Sequence, residues 1–379
     1  MKFILGNNVR TDAPTDSALL CNKLEAKILP KALLAEAALA LDKNPITVLK
    51  TLGLASYPAL VATKFPSKAT NTETRRNYGQ LAQACSQLKK ISWLSTKATD
   101  QHLRSALIGL QQGSYTFDRY KKNKSSTLEE VQIQGLSRKQ QEVLKEAEFF
   151  GHAIALCRDM INTPSEDMGP DEFVQFAQKE IKNTGLKMRV LSETDCKKEK
   201  MGALIAVGRA SHRKPRMIEL EWSGLPTAKA KGKKFLALCG KGVCFDTGGL
   251  NIKTENSMLL MRKDMGGAAT VLAAMIVLAQ LKAKTHVRAY LPLVENAIGP
   301  DSFRPGDILT ANDGTTIEIG NTDAEGRLIL ADAIAYAKKE GASHIVSAAT
   351  LTGAAQVALG KIHVPIMGDE KVVRALRQG

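Results

Sequence analysis

The octapeptide Asn321-Thr322-Asp323-Ala324-Glu325-Gly326-Arg327-Leu328 sets two carboxylates two residues apart, with an arginine two residues further on. On an extended segment, residues i and i+2 project to the same side, so Asp323 and Glu325 can share a cation. Packing supplies no reason to gather Asp, Glu and Arg at the mouth of the apolar run Leu328 to Ala337. Divalent-metal chemistry does. A second such stretch lies upstream: Lys241-Gly242-Val243-Cys244-Phe245-Asp246-Thr247-Gly248-Gly249, just after the apolar segment Phe235 to Cys239. Lys253 comes seven residues after Asp246, and Asp264 eighteen after it. Asp246, Asp264, Asp323 and Glu325 together carry the negative charge that a pair of divalent cations requires. Taken singly, each residue has an ordinary reading: Asp246 as a helix cap or surface acid, Lys253 as a solvated lysine, Asp332 as a plain helix acid. The glycine-rich Phe245 to Gly249 lacks the G-x-x-x-x-G-K-[ST] pattern of a phosphate loop.

Such residues need elements to hold them. Leu328 to Ala337 reads as a helix, and so does Val271 to Leu281, which follows Asp264-Met265-Gly266-Gly267. Acids and lysines at strand ends and helix starts lie where α/β sheets gather their ligands. From Pro164 onward, strands and helices alternate. Asp171 to Ile181 reads as a helix; Leu186 to Leu191, Phe235 to Cys239 and Val287 to Val294 read as strands. Ile308 to Ile319 reads as a hairpin turning on Asp313-Gly314, and Ile345 to Ala348 as a buried strand. Upstream, Ser137 to Gln140 forms a capping-box pattern. Val143, Ala147, Phe150, Ile154, Cys157 and Ile161 then give one apolar face of a long helix, which Pro164 stops. Before it, Lys31 to Leu41 and Tyr78 to Leu94 read as helices and Ala59 to Thr63 as a strand. The expected fold is α/β in two domains. A smaller N-terminal α/β domain (1–136) is joined by a long helix (137–163) to a catalytic domain (164–379) with a mixed sheet flanked by helices.

Composition narrows the chemistry. At 379 residues the chain exceeds the size at which a single core keeps growing. Its 44% hydrophobic and 24% charged content is that of an ordinary globular protein. No apolar run approaches the ~18–20 residues that span a bilayer, and the N-terminal apolar run is too short for a secretory signal. A cytoplasmic location with no membrane partner is expected. The six cysteines contain no C-x-x-C and read as free, mostly buried thiols. The six histidines show no metal-binding spacing, so oxygen ligands must carry a metal site. The net charge is +15, and residues 1–150 hold 22 basic against 13 acidic residues. The clusters Lys121-Lys122-Asn123-Lys124 and Lys231-Gly232-Lys233-Lys234 read as solvated loops. The sharper reading is a nucleic-acid or polyanion patch, which makes a catalytically impaired, basic, oligomeric nucleic-acid-binding scaffold the alternative function.

The two chemical segments resemble the leucine aminopeptidase (cytosol aminopeptidase) family of two-metal exopeptidases. The octapeptide is similar to that family's signature, and the Lys241–Asp246, Asp246–Lys253 and Asp246–Asp264 intervals match as well. So do Gly113 to Tyr120, Arg158 to Pro164, Met201-Gly202-Ala203, Arg304 to Asp307 and Ala349 to Gly353. The resemblance runs from about residue 105 to about residue 360, and relative to the family the chain looks short at its C-terminus. It implies a metal-dependent aminopeptidase that releases N-terminal amino acids from peptides. It implies two divalent ions (Zn²⁺ or Mn²⁺, alternatively Mg²⁺) held by Lys241, Asp246, Asp264, Asp323 and Glu325, with Asp246 and Glu325 contacting both. Lysine binds a metal only as the neutral amine, and adjacent cations push its pKa down to allow that. Lys253 is implied as the oxyanion stabiliser and Arg327 as the holder of a bicarbonate that relays a proton. Met261, Thr350 and Gly353 are implied to line the pocket for the first side chain, an apolar one favouring Leu- or Met-like residues. The family's assembly implies a homo-hexamer, a dimer of trimers.

Overall fold

The computed structural model describes residues 1–5, 17–21, 31–44, 46–50, 59–63, 69–94, 99–225 and 234–378. Its strands are β1 (Lys2–Leu5), β2 (Ser17–Cys21), β3 (Ile46–Lys50), β4 (Ala59–Thr63), β5 (Lys90–Leu94), β6 (Glu130–Gln134), β7 (Lys187–Leu191), β8 (Arg216–Ser223), β9 (Phe235–Gly240), β10 (Gly242–Asp246), β11 (His286–Asn296), β12 (Ile308–Thr310), β13 (Thr316–Glu318) and β14 (Ala342–Ala348). The first six form one sheet in the order β1-β6-β5-β2-β4-β3, parallel except for the antiparallel β3–β4 pair. The helix expected over Tyr78 to Leu94 is two elements. A helix, Asn71–Ala84, starts on a Thr70–Glu73 capping box, and β5 follows. Ile91 and Trp93, two residues apart, are both buried in the N-terminal core, and that two-residue period belongs to a strand.

The capping box read from Ser137 and Gln140 is present, and the helix it starts runs Arg138–Asn162. Val143, Leu144 and Ala147 from its first half pack in the N-terminal core. Leu156 and Met160 from its second half pack in the core of the second sheet. The segment 112–120 docks against its far end and the turn that follows it. Tyr115 donates its hydroxyl to Asp159 Oδ1 at 2.7 Å, Arg158 donates to the Gln112 carbonyl at 2.9 Å, and Tyr120 donates to Asp167.

The second sheet is mixed, in the order β14-β9-β11-β8-β7 with β10 added on β11. β9, β10, β11 and β14 run parallel, while β8 runs antiparallel to β11 and β7 antiparallel to β8. Helices cover both faces. Pro170–Glu180, Gly266–Gln280 and the end of the long helix pack on one. Gly202–Gly208 and Glu325–Lys339 pack on the other. Gly266–Gln280 is apolar nearly all round because it lies between the sheet and the long helix. β12 and β13 form the expected hairpin. The strand expected to be buried, β14, is half-exposed, because among the described residues it pairs on one side only, with β9. Cys85, Cys157, Cys196, Cys239 and Cys244 are free thiols. Lys121, Lys122 and Lys124 are exposed, and 231–233 of the second lysine cluster lie outside the described residues. Among the described residues, no helix is long and apolar enough to cross a membrane.

Candidate metal centre

Parallel strands deliver the chemistry at their carboxyl ends, as open α/β sheets do. Lys241 sits between β9 and β10, its N–H donating to Ala348 O at 2.9 Å and its carbonyl accepting from Ala268 N at 2.8 Å. Asp246 ends β10. Asp264 follows the 3-10 turn Met261–Lys263, one residue before the cap of the helix Gly266–Gln280. Asp323 lies in the 3-10 turn Thr322–Ala324, and Glu325 is the first residue of the helix Glu325–Lys339. The Asp323–Glu325 pair is therefore not extended. The tight turn gathers the two instead: one ligand atom each from Asp246, Asp323 and Glu325 lie within 4.8 Å of one another.

Lys241 Nζ lies 2.8 Å from Asp264 Oδ2 and 2.9 Å from Glu325 Oε1, with all three side chains almost fully buried. Lys253 Nζ lies 2.9 Å from Asp246 Oδ2 and also meets Asp323. Four carboxylates thus face two ammonium groups, which leaves a formal net negative charge in a mostly buried space, with Asp323 the most exposed of the six. Burial drives the Glu325 carboxyl up to about 7, opposed by the Lys241 charge. Burial also raises Asp264, again against Lys241. For Lys241, burial works against the ammonium, but Asp264 and Glu325 outweigh it and hold its pKa above the usual lysine value. Glu325 Oε2 is buried with no hydrogen bond. A buried acceptor without a donor is costly unless something cationic meets it. An oxygen-rich donor set with one amine and surplus negative charge fits hard or borderline divalent ions, so the residues present fit the implied metals.

The structure adds residues that sequence reasoning missed. Buried Asn296, at the end of β11, donates Nδ2 to Asp246 Oδ1 at 2.9 Å and to Thr322 O at 3.1 Å. Thr322 donates Oγ1 to Gly248 O at 2.6 Å and its N–H to Asn251 Oδ1 at 2.8 Å. This lashes the 247–251 turn to the octapeptide. The available signal was position: Asn296 is a polar residue that closes a strand just beyond the apolar run Ala289 to Val294. Thr350, read as a pocket residue, bonds directly to the cluster. Its Oγ1 donates to Asp264 Oδ1 at 2.7 Å, and its carbonyl accepts from Lys241 Nζ at 3.1 Å. Met261 is half-buried in the turn before Asp264. Gly353 precedes the helix Ala354–Leu359 with open space around it. Arg327 is exposed. Asp332 is no plain helix acid. It is fully buried, accepting Leu204 N at 2.7 Å and Asn312 N at 2.8 Å. A separate cavity of about 590 Å³, lined by Phe117, Pro164, Ser165, Phe245, Leu259 and Arg262 among others, includes none of the clustered carboxylates.

Residues 155–378 match the model of the cytosol aminopeptidase family, catalytic domain. A protein named probable cytosol aminopeptidase from Corynebacterium glutamicum is 39% identical over 300 residues, covering 78% of this chain and 58% of that protein. One from Corynebacterium efficiens is 36% identical over 363 residues, covering 94% of this chain and 69% of that protein. Among solved structures, the cytosol aminopeptidase from Coxiella burnetii superposes with a TM-score of 0.74 at 31% identity, covering 94% of this chain and 75% of that one. The bottromycin maturation enzyme BotP in complex with Mn superposes with a TM-score of 0.78 at 29% identity, covering 92% and 75%. The chain thus spans little more than half the length of the Corynebacterium glutamicum relative. With the octapeptide, the interval pattern, the fold and these matches in agreement, the chain belongs to the cytosol aminopeptidase family.

Proposed function

We propose that this protein is a metal-dependent aminopeptidase that releases N-terminal residues, Leu- or Met-like ones preferred, from peptides. The observation that carries the reading is the orphaned, buried Glu325 Oε2 in a cluster with surplus negative charge. Lys241, Asp246, Asp264, Asp323 and Glu325 would hold two divalent ions. A solved neighbour that carries Mn is in keeping with Mn²⁺, and the donor set suits Zn²⁺ or Mg²⁺ as well. When bound, such ions supply Lewis acidity toward a carbonyl and a nucleophile from water near neutral pH.

The chain's own residues do the rest. Asp246 is oriented by Asn296 and by the Gly248 N–H at 2.9 Å, and Asp264 by Thr350. Lys241 must give up its proton to act as a ligand, which nearby cationic charge favours. Lys253, whose side chain is 14% exposed, would offer positive charge to an oxyanion developing on the substrate carbonyl. Arg327 cannot be a base, since guanidinium stays protonated, but its planar fork suits a planar anion such as bicarbonate. Met261, Thr350 and Gly353 would border the first substrate side chain. Residues 164–379 would form the catalytic unit, 1–136 a separate α/β domain and 137–163 the link, with assembly as a hexamer. Retention of every expected ligand weighs for the enzyme over the nucleic-acid scaffold. Hydrolysis of a leucine anilide by the chelator-stripped protein, with and without added Mn²⁺ or Zn²⁺, tests the reading. Metal-restored turnover is expected; a protein inert with every divalent ion would overturn it.

A further inference from the structure

β10 carries one residue more than its partner strand accommodates. Val243 pairs with Val294 and Phe245 with Glu295, so Cys244 has no counterpart on β11. An extra residue bends a strand and re-aims the side chains beyond it. The next chemical side chain beyond it is Asp246.

The carbonyl of Cys244 accepts a hydrogen bond from Ser165 Oγ at 2.7 Å. Ser165 opens the short 3-10 turn that follows the long helix, and Arg213 grips that turn. Its Nη1 donates to Ser165 O at 2.6 Å and its Nη2 to Glu166 O at 2.9 Å. The same guanidinium reaches Glu295 Oε1 at 3.4 Å, with the Arg213 and Glu295 side chains only 17% and 13% exposed. The other Glu295 oxygen accepts Ser211 Oγ at 2.6 Å. Glu295 is the register partner of Phe245 and the neighbour of Asn296, which holds Asp246. Two paths therefore converge on one carboxylate. One runs through Ser165 to the extra residue of β10; the other runs through Glu295 to the end of β11. The guanidinium, a planar fork with five donors, serves two carbonyls and a carboxylate at once.

The geometry points to Ser165 and Arg213 as positioning residues of the metal centre: a clamp that fixes the extra residue in β10 and so the direction of Asp246. This rests on the reading of Asp246 as a metal ligand. Neither residue contacts the clustered carboxylates, so both act through others, as outer partners of metal ligands do.

The test titrates Mn²⁺ into the full chain, stripped by chelator, and follows unfolding of the metal-free protein. Ser165→Ala and Arg213→Lys should each weaken Mn²⁺ affinity on the order of 10–100-fold. Ser165→Thr, which keeps the hydroxyl, should bind as wild type does, and metal-free unfolding of Ser165→Ala should match wild type. Wild-type Mn²⁺ affinity in both Ser165→Ala and Arg213→Lys would overturn the clamp while leaving the metalloenzyme reading intact. A Ser165→Ala loss mirrored by equal metal-free destabilisation would also overturn it, because the hydroxyl would then be general scaffolding. A wild type that binds no Mn²⁺, Zn²⁺ or Mg²⁺ would overturn both readings. If Arg213→Lys fails to fold, the two Ser165 variants decide.

Discussion

Gly326 has no room for a side chain because of Lys241: a Cβ there would lie 2.4 Å from Lys241 Cε and 2.6 Å from its Nζ. Lys241 cannot step aside freely, since Asp264, Glu325 and the Thr350 carbonyl surround its ammonium. Gly326→Ala should therefore drive Lys241 out of the cluster. We expect at least a tenfold fall in both metal affinity and turnover, about what disturbing the shell around a metal costs. Secondary structure should persist, because alanine is the better helix former in the helix Glu325–Lys339. Metal titration and circular dichroism on the variant check both halves. A variant that binds metal as wild type does would show that Lys241 is not a ligand.

Glu325 and Lys253 should separate binding from turnover. Glu325→Ala removes a buried acid at the centre of the cluster, so metal and activity should be lost together. Lys253→Ala should keep metal and lose roughly 10²–10³-fold in kcat, the usual effect of removing one oxyanion donor. Metal content measured beside turnover on both variants decides. Equal metal loss in the two would assign Lys253 to charge balance with Asp246 and Asp323 rather than to the transition state.

Arg327 gives a prediction about the buffer. In bicarbonate-free buffer the wild type should slow, and added bicarbonate should restore it. Arg327→Ala should be slow in both, with metal still bound. Wild-type turnover indifferent to bicarbonate, together with a fully active Arg327→Ala, would make the residue a surface cation.

Asp332 links the helix Glu325–Lys339 to Leu204 and Asn312, far from any proposed ligand role. Burial lifts its carboxyl to about 6, against the backbone N–H groups that favour the charged form. A folded pKa above the ordinary value means that the native state holds a proton the unfolded chain has released. Its contribution to stability is therefore fully present below about pH 4 and is lost as pH rises through about 6, by on the order of 2–3 kcal/mol. Asp332→Asn cannot titrate, and its amide leaves one of the two N–H donors unmet. Its stability deficit against wild type should be largest near pH 4 and shrink toward pH 7 in urea unfolding. A deficit that grows with pH would mean that the backbone donors, not burial, set the carboxyl.

Most of the elements, and the residues that cluster at the strand ends, are legible in the sequence. The octapeptide and the Lys241–Asp264 intervals name a set of acids and lysines that no packing pattern demands. The capping box at Ser137, the apolar spacing from Val143 to Ile161 and the stop at Pro164 define the long helix, because caps, periodicity and proline act locally. Tertiary structure decided what depends on neighbours distant in the chain. The strand at Lys90–Leu94 is settled by pairing with β2 and β6, which no local window contains. β14 is half-exposed because, among the described residues, its partner lies on one side only. Asp332 changed from a helix acid to a buried acceptor because Leu204 and Asn312, 128 and 20 residues away, bring their N–H groups to it. The same holds for Asp246. Its identity is written in the sequence, but its aim comes from Asn296 fifty residues later and from the extra residue at Cys244. A hydrogen bond across such a separation exists only once the sheet has brought its ends together.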